Sequence, residues 1–282
     1  MNNRVKAKIV RIHSENATFQ LIEALRRNRE KRQKQHEFLI EGVRPINLAL
    51  QYGWTIKAWL YTPERKLSEW ARDILMRNVA PTHYELAPSL LAKLSGKEET
   101  SELLALIAMP DDNLARIPIR PNLLVLLFDR PVSPGNLGTL IRSCDALRAD
   151  GLVITGHAAD LYDPETISAS TGSLFALPAV RVASPRELEP WFAQLRQTLG
   201  TVRIVGSSAK ADQTITAHDW TQPTLLVIGN ETTGMSAHYR ALCDTIVNIP
   251  IGGAATSLNV ACAASIMLYE IDRQRRQADL RF

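Results

Sequence analysis

Cysteine is scarce in this chain: Cys144, Cys243 and Cys262 lie far apart and are odd in number. No Cys-x-x-Cys pair or Cys/His cluster occurs, so neither a zinc site nor a disulfide framework is expected, and a reducing, cytoplasmic setting is favoured. Long apolar runs are also absent. Apolar stretches are short and interrupted by charge, which suits none of them to spanning a bilayer. The opening residues MNNRVKAKIVRIHSENA carry basic side chains but lack the apolar core of a secretory signal. There is no internal repeat and no low-complexity tract. Neither Gly-x-Gly-x-x-Gly nor a Walker A pattern is present, so a nicotinamide or nucleoside triphosphate site lacks its phosphate-cradling loop.

A length of 282 residues, 45% of them hydrophobic, is enough for two modest domains. The net charge of +4 is unevenly placed. Residues 1–36 hold ten Lys or Arg against three Glu, whereas the remainder holds 23 basic and 26 acidic side chains. A basic head on a near-neutral body fits a polyanion contacted at one end, and fits equally the solvated face of a helix. The run Arg26, Arg27, Arg29, Arg32 and Lys34, with His36, is the candidate for phosphate contacts, which give affinity and position but read no sequence.

The clearest boundary is Met109 to Pro121, with three prolines, two adjacent aspartates and little periodicity. Before it, Ser14 or Asn16 caps a helix bearing Phe19, Ile22 and Leu25 on one face. Strands are expected at 38–40, 56–61 and 103–108, and helices at 43–51 and 67–78. Trp54, Trp59 and Tyr61 serve either as base-stacking platforms or, preferably, as core. After the boundary, short apolar runs at 123–128, 152–154, 202–205, 225–228 and 245–249 alternate with helical stretches at 137–147, 185–199 and 257–273. That alternation implies a mostly parallel sheet covered by helices, with ligands bound beyond the carboxyl ends of the strands.

Three loops at those ends draw the eye. Pro134-Gly135-Asn136-Leu137-Gly138-Thr139-Leu140-Ile141-Arg142 opens a helix, with Asn136 as a natural N-cap. Arg142 sits on an otherwise apolar helix, either snorkelling or serving a site. Ile228-Gly229-Asn230-Glu231-Thr232-Thr233-Gly234 follows a strand. It is a turn with a solvated Glu, or a place where Gly229 admits a ligand and Glu231 fixes a polar group. Asn248-Ile249-Pro250-Ile251-Gly252-Gly253-Ala254-Ala255-Thr256-Ser257-Leu258-Asn259-Val260 runs from a strand into an Ala-rich helix, where Ser257 and Asn259 are caps or site residues.

In this order the three loops resemble the signature motifs of the SpoU family of RNA 2′-O-ribose methyltransferases, within the SPOUT superfamily. The likeness covers about residues 122–275. The stretch from Arg32 to Arg44, RQKQHEFLIEGVR, is similar to the family's L30e-like substrate-binding domain. The resemblance implies an N-terminal RNA-binding domain at 1–109, a linker at 110–121 and a catalytic domain at 122–282. It further implies a deep trefoil knot near the C-terminus, S-adenosylmethionine as cofactor and a homodimer; no metal is expected, since no Cys/His cluster is present. The implied substrate is ribosomal RNA, 23S rRNA first, with transfer RNA second; an inactive RNA-binding protein of the same fold is the remaining alternative. Asn136, Arg142, Glu231, Ser257 and Asn259 match the catalytic positions. Ser207, Gly229, Ile249 and Leu258 match the cofactor-binding ones, and Arg44 joins the RNA-binding set. The resemblance puts Arg142 beside the target ribose as a base. A guanidinium loses its proton only at very high pH, so stabilising the developing alkoxide and an RNA phosphate is the better role. The motif departs from many relatives in having Ser133, not Asp, before Pro134.

Overall fold

The computed structural model describes residues 7–78 and 80–279. Arg4 and Lys6 of the basic head, and residues 280–282 of the expected catalytic segment, lie outside the described residues. The chain divides into two compact units.

The first unit takes in the chain up to Pro110 together with Tyr162–Ile167. Its elements are β1 (Lys8–Ile12), α1 (Ala17–Arg27), α2 (Arg29–Gln35), β2 (Glu37–Glu41), α3 (Val43–Gln51), β3 (Ile56–Tyr61), α4 (Glu69–Arg77), β4 (Thr82–Leu86), α5 (Pro88–Leu94) and β5 (Leu103–Ala108). The five strands lie in the order β1-β4-β3-β5-β2. β4 pairs in parallel with β1 and β3, and β5 runs antiparallel to β3 and β2. Asn16 starts α1, its side chain accepting from Phe19 N, and Phe19, Ile22 and Leu25 are buried against Leu39, Leu60 and Leu104. Trp59 is fully buried with its indole N–H given to Asn78 O, and Tyr61 is buried beside it on β3. Both are core residues.

Asn28 both closes α1 and opens α2. Its N–H reaches Ala24 O and its side chain accepts from Lys31 N. The resulting bend turns Arg32 inward. That side chain is 2% exposed, donating to the α1 carbonyls of Leu25 and Arg26 at 2.9 and 3.0 Å. Those are the orphan carbonyls of a helix end, where a cation also meets the negative pole of the helix dipole. Asp163, 3.6 Å away, supplies a counter-charge.

The second unit holds Asp111–Leu161 and the chain from Ser168 onward. Of the expected linker at 110–121, residues 111–121 are anchored within it. Arg116 donates to Ala179 O, Asp112 pairs with Arg181 at 2.7 Å, and Ile117 is buried under Gly151. The elements that follow are β6 (Leu124–Asp129), α6 (Pro134–Ala146), β7 (Gly151–Thr155), α7 (Pro164–Ser170, which spans the division), α8 (Ser173–Ala176), β8 (Ala179–Val182), α9 (Glu189–Leu199), β9 (Arg203–Ser207), β10 (Gln213–Thr214), β11 (Thr224–Ile228), α10 (Ala237–Leu242), β12 (Thr245–Asn248) and α11 (Val260–Asp279).

The sheet order is β10-β12-β9-β11-β6-β7-β8, and every pairing is parallel. β6 stands between β11 and β7 and is buried along its whole length, as a strand covered on both faces must be. One face packs Val125, Leu127, Val153, Leu225 and Val227 against Trp191, Phe192 and Leu195 of α9. α6 and α11 pack together, their Ser143 and Ser265 hydroxyls 2.7 Å apart. Small side chains at Ala261, Ala264 and Ser265 allow that approach. Arg275, near the end of α11, donates to the carbonyls of Trp220, Asn122, Leu123 and Gln222. Among the described residues no helix is long and apolar enough to cross a membrane.

Candidate active site

The loops that follow β6 and β11 are locked to each other at the carboxyl edge of the sheet. β6 ends in Asp129, which is 1% exposed. Its carboxylate accepts two bonds from the Arg130 guanidinium, at 3.0 and 3.1 Å, and one from Ser236 N at 2.7 Å. Arg130 has φ 52, a left-handed conformation that folds its side chain back onto its neighbour. The hydrogen bond to Asp129 raises the Arg130 pKa further, so the fork is permanently charged and bidentate. Arg130 Nη2 also donates to Gly234 O, and Arg130 O accepts from Asn230 Nδ2 at 2.6 Å.

Asn230 organises the turn. Its Oδ1 accepts from Thr232 N and Thr233 N, and its backbone pairs with Gly234. Gly229 lies directly against this turn. A Cβ there would stand 2.2 Å from Met235 N and 2.4 Å from Gly234 C. The lack of a side chain at Gly229 is therefore demanded by the protein's own backbone, a reason the sequence did not reveal.

Within this frame Glu231 reaches back to the first motif. Its carboxylate accepts from Val132 N at 3.1 Å, Ser133 N at 3.2 Å and Asn136 Nδ2 at 3.3 Å. Asn136 is not the N-cap of α6, as expected above. Ser133 holds that place, its hydroxyl accepting from Asn136 N, with Pro134 at the first helical position, where a missing N–H costs nothing. Freed from capping, the Asn136 side chain links two motifs. Its Oδ1 accepts from Asn259 Nδ2 at 3.0 Å. Asn259 in turn caps α11, its Oδ1 accepting from Ala261 N and Cys262 N. One chain of contacts thus joins all three motifs: Glu231, Asn136, Asn259.

Arg142 stands exposed two turns along α6, and among the described residues it makes no hydrogen bond or ion pair, with Ser257 and Asn259 included. Ser257 and Leu258 lie in the exposed segment 250–259, and Ile249, half-buried, precedes it. Val132, Ile251 and Leu258 leave apolar surface open at 64%, 36% and 38%. Ser207 ends β9 beside Val247 of β12. Next to it, Asn248 Oδ1 is buried and has no hydrogen-bond partner among the described residues, while its Nδ2 donates to Ala211 O.

Of the basic residues expected at RNA, Lys34 and Arg44 are exposed, Arg29 is half-buried, and Arg27 is exposed with an ion pair to Glu23. Arg26 spends its guanidinium on Lys93 O and Ser95 O. Arg32 requires correction: it is buried as the cap of α1 and offers nothing to a phosphate. Sequence reasoning also missed Asp129, Arg130, Ser133 and Asn230. Ser133 before Pro134 was the only readable signal among them.

Parallel strands whose terminal loops converge on one polar network, joined to a small α/β unit, match two family models in succession. Residues 123–269 match the SpoU rRNA Methylase family and residues 16–105 match the SpoU L30e-like domain, and the chain belongs to this family. A 23S rRNA (uridine(2479)-2′-O)-methyltransferase of Streptomyces viridochromogenes is 52% identical over 94% of this chain and 92% of that protein. The crystal structure of the SpoU methyltransferase AviRb from the same organism, in complex with the cofactor AdoMet, superposes with a TM-score of 0.87 at 51% identity, covering 93% of this chain and 98% of the other. An AdoMet-bound rRNA methyltransferase from Sinorhizobium meliloti gives a TM-score of 0.81 at 27% identity, covering 94% and 98%.

Proposed function

We propose that this protein methylates the ribose 2′-hydroxyl of a nucleotide in 23S rRNA, using S-adenosylmethionine. The observation that carries this reading is the Glu231–Asn136–Asn259 chain, which brings three sequence-distant motifs to one strand-end site. The residues present suit the cofactor. Exposed Leu258 and Ile251 offer apolar surface, and the buried, unpartnered Asn248 Oδ1 is an acceptor awaiting a donor. Ser207, Gly229, Ile249 and Leu258 would hold it, chiefly through backbone groups.

When bound, S-adenosylmethionine supplies a sulfonium methyl group. The protein's own residues hold the ribose oxygen in line and manage its proton. Arg142 has its guanidinium free for this. It stabilises the oxygen as negative charge develops and steadies an adjacent phosphate. Asn259, fixed by Asn136 and ultimately by Glu231, positions the start of α11, with Ser257 beside it. The exposed Lys34, Arg27 and Arg44 supply sequence-independent phosphate contacts. The same reading includes a trefoil knot in the C-terminal part, action in the cytoplasm and a homodimer. Exposed Tyr269 (61%) and Ile266 (39%) on α11 give such a dimer an apolar face.

Purified protein, labelled S-adenosylmethionine and 23S rRNA from a deletion strain test the reading. Label should enter one 2′-O position, and Arg142→Ala should lower the single-turnover rate by at least about 100-fold while cofactor binding persists. Cofactor binding without transfer to 23S rRNA refutes the reading. Transfer to transfer RNA alone replaces the substrate.

A further inference from the structure

The first unit carries a cleft of about 700 Å³ that the three motifs leave unused. Such a volume lies in the range of small-ligand sites. Its walls include Gly42, Val43, Arg65, Trp70, Lys97 and Glu99.

The walls are built rather than incidental. Ser68 starts α4 with its hydroxyl on Ala71 N, and is itself gripped by Glu102, which accepts from Ser68 N at 2.8 Å and Ser68 Oγ at 2.6 Å. This clamp fixes the first turn of α4, where Trp70 sits. The Trp70 indole N–H is given to Asn47 Oδ1 at 2.9 Å. With its one donor satisfied, the half-exposed ring has only its face to offer. Arg65 is steadied by one bond, Nη1 to Thr100 O at 3.0 Å, and keeps the rest of its donor fork. Opposite, Gly42 has φ +93, and the Lys97 ammonium lies 2.6 Å from where a Cβ would be. Among the described residues that ammonium has no carboxylate within ion-pair distance. Glu102 is spent on Ser68, so Glu99, exposed on the rim, is the lining carboxylate left over among the described residues.

An aromatic face, two cations and one free carboxylate together match the parts of a nucleotide: a base to stack, a phosphate to neutralise and base amines to accept. We propose that this cleft binds one unpaired nucleotide of the RNA substrate, its base on Trp70 and its phosphate between Lys97 and Arg65. A paired base cannot present its face to a ring, so the cleft selects single-stranded elements and adds discrimination that phosphate contacts lack. This inference rests on the RNA-substrate reading above but concerns a separate site.

The test uses the full chain and two probes: an unstructured octaribonucleotide and a 16-base-pair RNA duplex. Trp70→Ala should weaken the octamer about ten-fold and leave the duplex unchanged, whereas Trp70→Phe should restore most of the loss. Lys97→Gln, a surface change that spares the fold, should lower the slope of log affinity against log salt by about 0.7 for the octamer. Unchanged octamer affinity and slope in both Trp70→Ala and Lys97→Gln, with rRNA methylation intact, overturn the cleft proposal alone. A wild-type chain that binds neither probe nor methylates rRNA overturns the substrate reading and the cleft with it.

Discussion

Replacing Glu231 by Gln and Asn259 by Ala, singly and together, asks whether the three motifs act as one mechanical unit. Asn136 donates to Glu231 and accepts from Asn259, so the carboxylate dictates which way the amide faces. A glutamine keeps only one oxygen. Whichever side that oxygen serves, the new NH2 confronts an N–H donor, either Val132 on one side or Ser133 and Asn136 on the other. Charge-assisted bonds are worth about 1.5–3 kcal/mol each when buried. The site is half-exposed, so the whole change costs about 2 kcal/mol. Asn259→Ala removes the link to Asn136 and the cap on Ala261 and Cys262, about 1–1.5 kcal/mol. Once the carboxylate is gone, the Asn136 amide is free to turn, and its bond to Asn259 is already weakened. The double variant should therefore lose less than the sum of the singles by about 0.5–1 kcal/mol. Urea unfolding measures this directly, and thermal unfolding should follow at about 2–4 °C per kcal/mol. Additivity to within about 0.3 kcal/mol would show that the motifs are neighbours and nothing more.

Other consequences are as direct. Gly229→Ala forces a Cβ into the backbone of Gly234 and Met235, so it should destabilise the second unit by about 3 kcal/mol, and a wild-type unfolding midpoint would contradict the packing described. Arg32→Gln should lower the midpoint and leave the salt dependence of RNA binding intact, whereas Lys34→Gln should do the reverse; a changed salt slope for Arg32→Gln would restore it to the RNA surface. Burial holds the His218 pKa below 6.5, so the unfolded state takes up its proton first as pH falls. Its contribution to stability is full above about pH 6.5 and lost below it. The wild type should lose more stability than His218→Gln between pH 7.5 and 5.5, and equal losses would count against that burial.

Legibility in the sequence followed burial. β6 and β11 are covered on both faces, so their apolar runs were visible, and α3, β3 and β5 have the bounds their spacing predicts. β1 (KIVRI) and β4 (THYEL) are partly solvated and mix charge with apolar residues, which hides any period. β10 is two residues long and exists only through its partner β12. In the site, the motif order was legible but the wiring was not. Asn136 and Glu231 are 95 positions apart, and only the fold makes them partners. The basic run was equally plain as composition, yet which arginine turned inward depended on the double cap at Asn28.

The sheet order has a temporal consequence. The first-made strand of the second unit, β6, takes its permanent neighbour on one side from β11, some 100 residues later, and the carbonyls at its entrance are held by Arg275 of α11, later still. A nascent chain halted before residue 224 would expose one edge of its most apolar strand. Completion of this unit must therefore wait until β11 and then α11 have been made, whereas the strands and helices of the first unit up to β5 precede them.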